Sequence, residues 1–430
     1  MGDPLCAAAA APYRMRAIGR AALNGRRDNK SSEDPPMAGA NGSAKPILIS
    51  GGGIGGLITA YALARQGFPV RVFEQSAEFR EVGAGIQLGP NIFRALEKVG
   101  LKDAVLADAH VPPAQEMRNA VTGDLVTHIP LGEPFSKRFG QPYAVTHRAD
   151  IHATYLKACQ SSNLISLETN RRVDGYEDHG DRVALSLENG ERVEGEALIA
   201  CDGMWSKIRE RIVGDGQPRV SGHIAYRGVL KREQVPKDLW RPDVVLWAGP
   251  KCHFVHYPLR RGELYNLVAV FHSDHYEEGW NAEGSKDLLY NHFKGLRPEV
   301  LRLLELIDTW RMWVLCDREP VKNWSHGRVT LLGDAAHPML QYLAQGACMA
   351  TEDAVVLAEK AGAMPHDLPA AFKAYEMDRY LRTARTQVMA RVYGEFYHAR
   401  GVTAELRDMA VGGRTTEQAY DGIAWLYGGP

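Results

Sequence analysis

The sequence predicts an α/β fold in which a parallel-sheet, dinucleotide-type domain is interleaved with a second, β-rich domain and followed by C-terminal helices. Three observations predict it. A strand, turn, helix and strand follow one another from Pro46 to Phe73 around a cluster of glycines. A second apolar strand that delivers an aspartate comes only much later, at Arg328 to Asp334, so nucleotide-type segments flank a β-rich block. Beyond Leu368 the apolar pattern is helical to about Tyr397. With 430 residues, 45% of them hydrophobic, the chain has material for one large or two moderate cores.

Taken in order, residues 1–44 combine the small-residue run Cys6 to Ala11, several arginines and a polar stretch, and are expected to be a disordered leader. They read as a transit peptide or, by preference, as an extension ahead of a start at Met37; no apolar run with a cleavage site marks a signal peptide. Pro46-Ile-Leu-Ile-Ser50, the glycines, Ile54 to Gly67 and Pro69-Val-Arg-Val-Phe73 form a βαβ unit. Arg182 to Leu187 alternates and meets Asn189-Gly190, a two-residue hairpin signal, before Glu191 to Cys201 returns as strand. A β block spans Val244 to Phe271 with turns at Gly249-Pro250 and Arg261-Gly262, and a helical pattern runs from Lys286 to Ile307. The expected division is 45–222 (with a small inserted segment near 112–145), 223–322 as the inserted β domain, 323–365 as the return of the first domain, and 366–430 as a helical region.

Charge narrows the function classes. Lys plus Arg number 51 against 52 Asp plus Glu, a formal net charge of −1, which offers no electrostatic footprint for nucleic acid or an anionic membrane. There is no apolar run of spanning length, so no membrane span is expected. Six scattered cysteines lack a C-x-x-C pair or any metal-ligand spacing, so no metal site is read and a reducing cytoplasm is expected. The expected partner is a small molecule; a homo-oligomer is left open.

Three motifs carry chemistry. Gly51, Gly53 and Gly56 form G-x-G-x-x-G between a strand and a helix that opens at Ile54, where glycines let backbone N–H groups approach a pyrophosphate. Glu74 ends the next strand 23 residues after Gly51 (74 − 51), placed to accept from a ribose hydroxyl. Gly333-Asp334 follows the strand Arg328 to Leu332, and Gly346 opens a helix reaching Ala361 whose N-terminus favours negative charge. Asp334 serves equally well as a helix N-cap. Cys201-Asp-Gly-Met-Trp-Ser-Lys-Ile-Arg209 again delivers Asp-Gly from an apolar strand; taken singly, Arg209 is an ordinary salt-bridged arginine.

Together the glycine motif, D-G-x-x-S-x-x-R at Asp202 to Arg209 and G-D-A-A-H-P at Gly333 to Pro338 stand in the order of the group A flavoprotein aromatic hydroxylases. The chain closely resembles that family from about Ala44 onward. The resemblance implies a Rossmann-type FAD-binding domain interleaved with a β-sheet substrate domain. It implies FAD as cofactor, NADH as reductant with NADPH left open, and O2 as co-substrate. Gly51, Gly53, Ile54, Gly56, Glu74, Asp202, Arg209, Gly333, Asp334 and Gly346 are then expected at the cofactor.

Within the family, Glu81 to Asn91, Thr146 to Asp150, Gly249 to Pro258 and Leu340 to Gly346 are most similar to 3-hydroxybenzoate 6-hydroxylases, with salicylate 1-hydroxylases next. By that resemblance Arg148 contacts the flavin, and His253, Tyr257 and Gln341 face a small hydroxylated aromatic carboxylate. The implied reaction takes 3-hydroxybenzoate to gentisate through a flavin C4a-hydroperoxide; the alternative takes salicylate to catechol and CO2.

Strand geometry tests part of this. Side chains alternate, so His253, Val255 and Tyr257 share one face while Phe254 and His256 point the other way. A phenol has a pKa of about 10, and ring attack needs the electron-rich phenolate. His253 is the expected base because imidazole titrates nearest neutral pH, with Gln341 holding the same oxygen. A plain strand histidine is the simpler reading of His253. A dinucleotide-binding dehydrogenase needs only Gly51 to Glu74 and leaves the other motifs unexplained; a non-enzymatic FAD-binding protein gives His253 and Gln341 no role.

Overall fold

Ile47, Leu48 and Ile49 are fully buried, as are Ala197 to Ala200, because each segment lies inside a parallel sheet covered on both faces. The computed structural model describes residues 45–81, 83–273 and 280–428. The leader expected over residues 1–44 lies outside the described residues. A six-stranded sheet runs in the order Ser325–His326, Val329–Leu331, Ala197–Ala200, Ile47–Ser50, Val70–Phe73 and Ile165–Glu168. Its pairs are parallel except at the Ser325–His326 edge. Helices Ile54–Arg65 and Gly346–Ala363 pack together against it, so the two distant nucleotide-type segments share one core.

The second sheet has eight strands: Trp280–Gly284, Trp310–Asp317, Arg219–Lys231, Leu264–His272, Cys252–Leu259, Val244–Gly249, Ala114–Asn119 and Leu125–Pro130. Ala114–Asn119 and Leu125–Pro130 fall within the segment expected as a small insertion, yet Ala114–Asn119 pairs parallel with Val244–Gly249 and extends the same sheet. One face packs on helices Lys286–Phe293 and Pro298–Glu305 through Phe254, Tyr226 and Phe271. The other holds Ala225, Val255, Tyr257 and Val268 beside residues of the C-terminal helices. Period-2 alternation thus places Phe254 opposite Val255 and Tyr257, as the sequence predicts for this strand.

Two elements differ from their expected extents. The return strand after Asn189-Gly190 splits into Arg192–Gly195, in the hairpin, and Ala197–Ala200, in the parallel sheet. Gly195 marks the change because a Cβ there would meet the Pro46 carbonyl oxygen at 2.6 Å. The helical stretch from Lys286 breaks at Gly295, which has φ +84°, and restarts with Pro298 in the first helical turn. The C-terminal helix spans Leu368–Tyr397, followed by Val402–Val411 and Thr416–Tyr427. Among the described residues no helix is long and apolar enough to cross a membrane.

A buried charge network locks helix Gly346–Ala363 to helix Leu368–Tyr397. Arg379 bonds Asp353 at 2.6 Å and Glu352 at 2.5 Å, Arg382 bonds Glu352 at 2.7 Å, and Asn91 donates to Glu352 at 2.7 Å. Buried carboxylates persist only where partners of this kind surround them.

Candidate active site

The strand Ile47–Ser50 ends in a turn that only glycine can make. Gly51 sits at φ +101°, with the Cys201 carbonyl oxygen 2.4 Å from where a Cβ would lie, and a Cβ on Gly56 would stand 1.9 Å from the Gly51 oxygen. This close approach aims the N-terminus of helix Ile54–Arg65 at an open space. That helix has no acidic residue in its first turn, so its positive end is left for an anion. Glu74 accepts from Gly52 N and Ser76 N, both at 2.8 Å, and borders the same space.

On the opposite wall, Gly333 at φ +62° turns the chain so that Asp334 is exposed to the cavity. Its Oδ1 lies 3.8 Å from the position a Cβ on Gly346 would take, which brings the aspartate to the N-terminus of helix Gly346–Ala363. His337 fixes this turn from beneath, its Nε2 2.5 Å from Asp353. Asp202 supplies the floor. Burial pushes its carboxyl up to about 6, and its Oδ1 is buried without a hydrogen-bond partner.

These walls enclose a cavity of about 850 Å³, in the upper part of the range for small-molecule and cofactor sites. Gly51, Gly53, Ile54, Glu74, Arg148, Asp202, Gly333, Asp334 and Gly346 line it, and so do His253, Tyr257 and Gln341. The two groups reach it from different sheets. Gly56 and Arg209, also expected at the cofactor, do not line it. Gly56 is buried in the turn packing described above. Arg209 is 0% exposed and engaged by Asp215 at 2.7 Å and by the carbonyls of Ala335 and Ala336 at 2.9 and 2.5 Å. It therefore holds the G-D-A-A-H-P turn in place rather than reaching a ligand itself.

His253 and Tyr257 project from one face of Cys252–Leu259, as alternation requires. His256 points away and is satisfied by Tyr265 at 2.7 Å and by the Trp247 Nε1 donor at 3.0 Å. Burial lowers His253 to about 3, so it is a neutral imidazole at neutral pH. Its Nδ1 lies 2.7 Å from Nε2 of His398, which leaves Nε2 for the cavity. Arg148, the first residue of helix Arg148–Gln160, is paired with Glu81, Nε to Oε2 at 3.0 Å.

Sequence reasoning missed Arg227. It lies on Arg219–Lys231 on the face of Ala225, lines the cavity, stacks on Trp313 at 5.4 Å and donates to Oε1 of Gln341. Burial lowers it only to about 10, so it stays cationic at neutral pH. Among the described residues no ion pair involves it, and its Nε has no partner. Period-2 alternation from His223 was the available signal. Nothing local pointed to His398 or to the C-terminal wall built by Tyr393, Tyr397, Ile423 and Tyr427.

Comparison with known proteins identifies the family. The model of the family described as "FAD binding domain" matches residues 44–391. A 3-hydroxybenzoate 6-hydroxylase of Polaromonas naphthalenivorans (strain CJ2) is 46% identical over 383 residues, covering 89% of this chain and 96% of its own. One from Klebsiella oxytoca is 45% identical over 381 residues, covering 89% and 96%. The crystal structure of Klebsiella pneumoniae HpxO with FAD and uric acid superposes with a TM-score of 0.79 at 25% identity, covering 89% and 97%.

Proposed function

The chain belongs to the FAD binding domain family and is an FAD-dependent aromatic monooxygenase, and from that premise we propose that it hydroxylates 3-hydroxybenzoate para to its phenolic oxygen, giving gentisate. The observation that carries the substrate class is Arg227. A buried guanidinium without a carboxylate partner is costly in an empty cavity and favourable beside a bound anion. An aromatic carboxylate supplies that anion, and the names of the relatives favour the 3-hydroxy isomer among such acids.

FAD fits the first wall of the cavity. Gly51, Gly53 and Ile54 would face its pyrophosphate, Glu74 a ribose hydroxyl, and Asp202, Asp334 and Gly346 the rest of the cofactor with Arg148. When bound, FAD supplies reduction by NADH and the activation of O2 that delivers one oxygen atom to the ring. The remaining steps belong to the chain. His253 Nε2 accepts the phenolic proton, raising electron density at the para carbon. With Oε1 of Gln341 accepting from Arg227, its Nε2 is left to donate to the phenolate oxygen. Tyr257 closes the ring pocket on the same face as His253.

In this reading residues 45–222, apart from Ala114–Asn119 and Leu125–Pro130 in the second sheet, and residues 323–365 bind the cofactor, 223–322 supply the substrate face and the helices within 366–428 close the cavity of a cytoplasmic enzyme. The test is to follow NADH and O2 consumption with each hydroxybenzoate and identify the product. Gentisate from 3-hydroxybenzoate, with oxygen transfer slowed roughly 10²-fold or uncoupled in His253→Ala, supports the assignment. Catechol from salicylate, with 3-hydroxybenzoate left unreacted, overturns it.

A further inference from the structure

Behind His253 the imidazoles continue. Nε2 of His398 meets Nδ1 of His253 at 2.7 Å, and Nδ1 of His398 meets Nε2 of His272 at 2.9 Å. Both nitrogens of His398 are thus engaged by other imidazoles, so the three rings form a hydrogen-bonded chain. The backbone fixes it: Lys251 N donates to the His398 oxygen at 2.9 Å, and His272 N donates to the Lys251 oxygen at 3.0 Å. The chain has an inside and an outside end. His253 borders the cavity, His253 and His398 are each 4% exposed, and His272, last residue of Leu264–His272, is partly exposed.

We infer that His253, His398 and His272 form a proton relay that carries the phenolic proton of the bound substrate from the cavity to solvent. The inference rests on His253 being the proton acceptor, as proposed above. In the starting tautomer each ring bears its proton on Nδ1. The substrate O–H bond breaks as an N–H bond forms at His253 Nε2; His253 Nδ1 passes its proton to His398 Nε2, and His398 Nδ1 passes its own to His272 Nε2. Water takes the proton leaving His272 Nδ1. One proton leaves, the substrate becomes phenolate, and every ring ends neutral with its proton on Nε2. Reprotonation of the product oxygen runs the chain backwards and restores the starting tautomers.

The surroundings favour transfer without a resting charge. Burial lowers His253 to about 3 and His223 to about 4, and lowers His398 and His272 as well. Against a phenol near 10, leaving the proton on His253 alone is unfavourable by about 10⁷-fold, whereas passing it on leaves no buried imidazolium. Tyr342 and Tyr397 flank His253 with ring centroids at 5.5 and 5.6 Å. The His223 ring lies 4.2 Å from that of His272, tilted by 36°, and His223 bonds Tyr342 at 2.5 Å. At the outer end Glu395 favours a proton on His272, while Lys251, His292 and Arg400 oppose it and promote release.

The experiment mixes FAD-loaded enzyme with 3-hydroxybenzoate in weakly buffered solution containing a pH indicator, following proton release and the phenolate absorbance together in a stopped-flow instrument. His398→Phe and His272→Ala are expected to slow proton release at least about tenfold while FAD content and substrate affinity stay within about threefold of wild type. Imidazole in solution is expected to rescue His272→Ala, whose gap opens to solvent, and not His398→Phe. Wild-type release rates in both variants, or no rescue of His272→Ala, overturn the relay. A wild-type enzyme that binds hydroxybenzoates without forming phenolate defeats His253 as acceptor, and the relay with it.

Discussion

Gly56→Ala gives the sharpest test of the cofactor turn. The new Cβ would lie 1.9 Å from the Gly51 oxygen and 3.0 Å from the Gly51 carbon. Reaching 3.0 Å from the oxygen needs 1.1 Å of movement (3.0 − 1.9). Neither side yields easily. Gly51 N donates to the Phe73 oxygen at 2.8 Å, its Cα faces the Cys201 carbonyl, and the obstructing atoms are backbone rather than a flexible side chain. Overpacking of this kind costs about 1–3 kcal/mol. If the helix N-terminus swings away to relieve it, FAD must restore the turn on binding, and affinity falls about 5- to 160-fold. Gly55→Ala is the control, because its Cβ would meet Leu332 at 3.4 Å and Ala350 at 3.6 Å, ordinary contacts. There the helix gains up to about 1 kcal/mol from losing a glycine. The assay titrates FAD into flavin-free protein by fluorescence quenching, with thermal unfolding measured in parallel. Wild-type affinity and Tm in Gly56→Ala, or an equal fall of Tm in Gly55→Ala, would refute the steric reasoning.

Two further outcomes follow from charged groups. Burial alone would raise Glu352, but Arg379 and Arg382 outweigh it and pull it from 4.5 to about 2. Because the folded value lies below the unfolded one, this stabilisation is complete above about pH 4.5 and lost as pH falls toward 2. Glu352→Gln is expected to lower stability at pH 7 by up to about 3 kcal/mol and to flatten the acid limb of urea-unfolding curves; an unchanged limb contradicts the assignment. Arg227→Gln is expected to weaken 3-hydroxybenzoate binding about 10- to 100-fold, the range for a charge-assisted hydrogen bond, while sparing FAD and unsubstituted phenol. Equal losses for phenol and the acid would remove Arg227 from carboxylate recognition.

What was legible in the sequence follows from the range over which each feature is determined. The βαβ unit, the Asn189-Gly190 hairpin and the alternation along Cys252–Leu259 are set by neighbours a few residues apart, and each is present. The split at Glu196 depends on Gly195 pressing against Pro46, which no local pattern encodes. Arg209 reads as a ligand-binding arginine because the motif ends there, but its partner carbonyls lie 126 and 127 residues away. His398 meets His253 across 145 residues of chain, so a helix-terminal histidine gave no sign of standing behind the candidate base. Side chains aimed into the cavity were legible where a strand period fixed their direction, and illegible where only tertiary packing did.

The near-neutral total charge carries less information than the pairing of individual cations. Arg148 and Arg227 both border the cavity, and a sum over the chain counts them alike. Arg148 is matched by Glu81 at 3.0 Å, so it brings a hydrogen-bonding surface with little net field. Among the described residues Arg227 has no carboxylate partner and donates to the neutral Gln341, so its field acts on whatever enters. In the proposed reading an aromatic carboxylate placed there neutralises Arg227 and leaves the phenolic oxygen to Gln341 and the neutral His253. On that proposal the base is best kept uncharged. A resting imidazolium at His253 would compete with Arg227 for the carboxylate and draw the wrong end of the substrate toward the proton acceptor. Burial, by holding the imidazole neutral, keeps a second positive charge away from the side of the cavity where the proton acceptor is proposed.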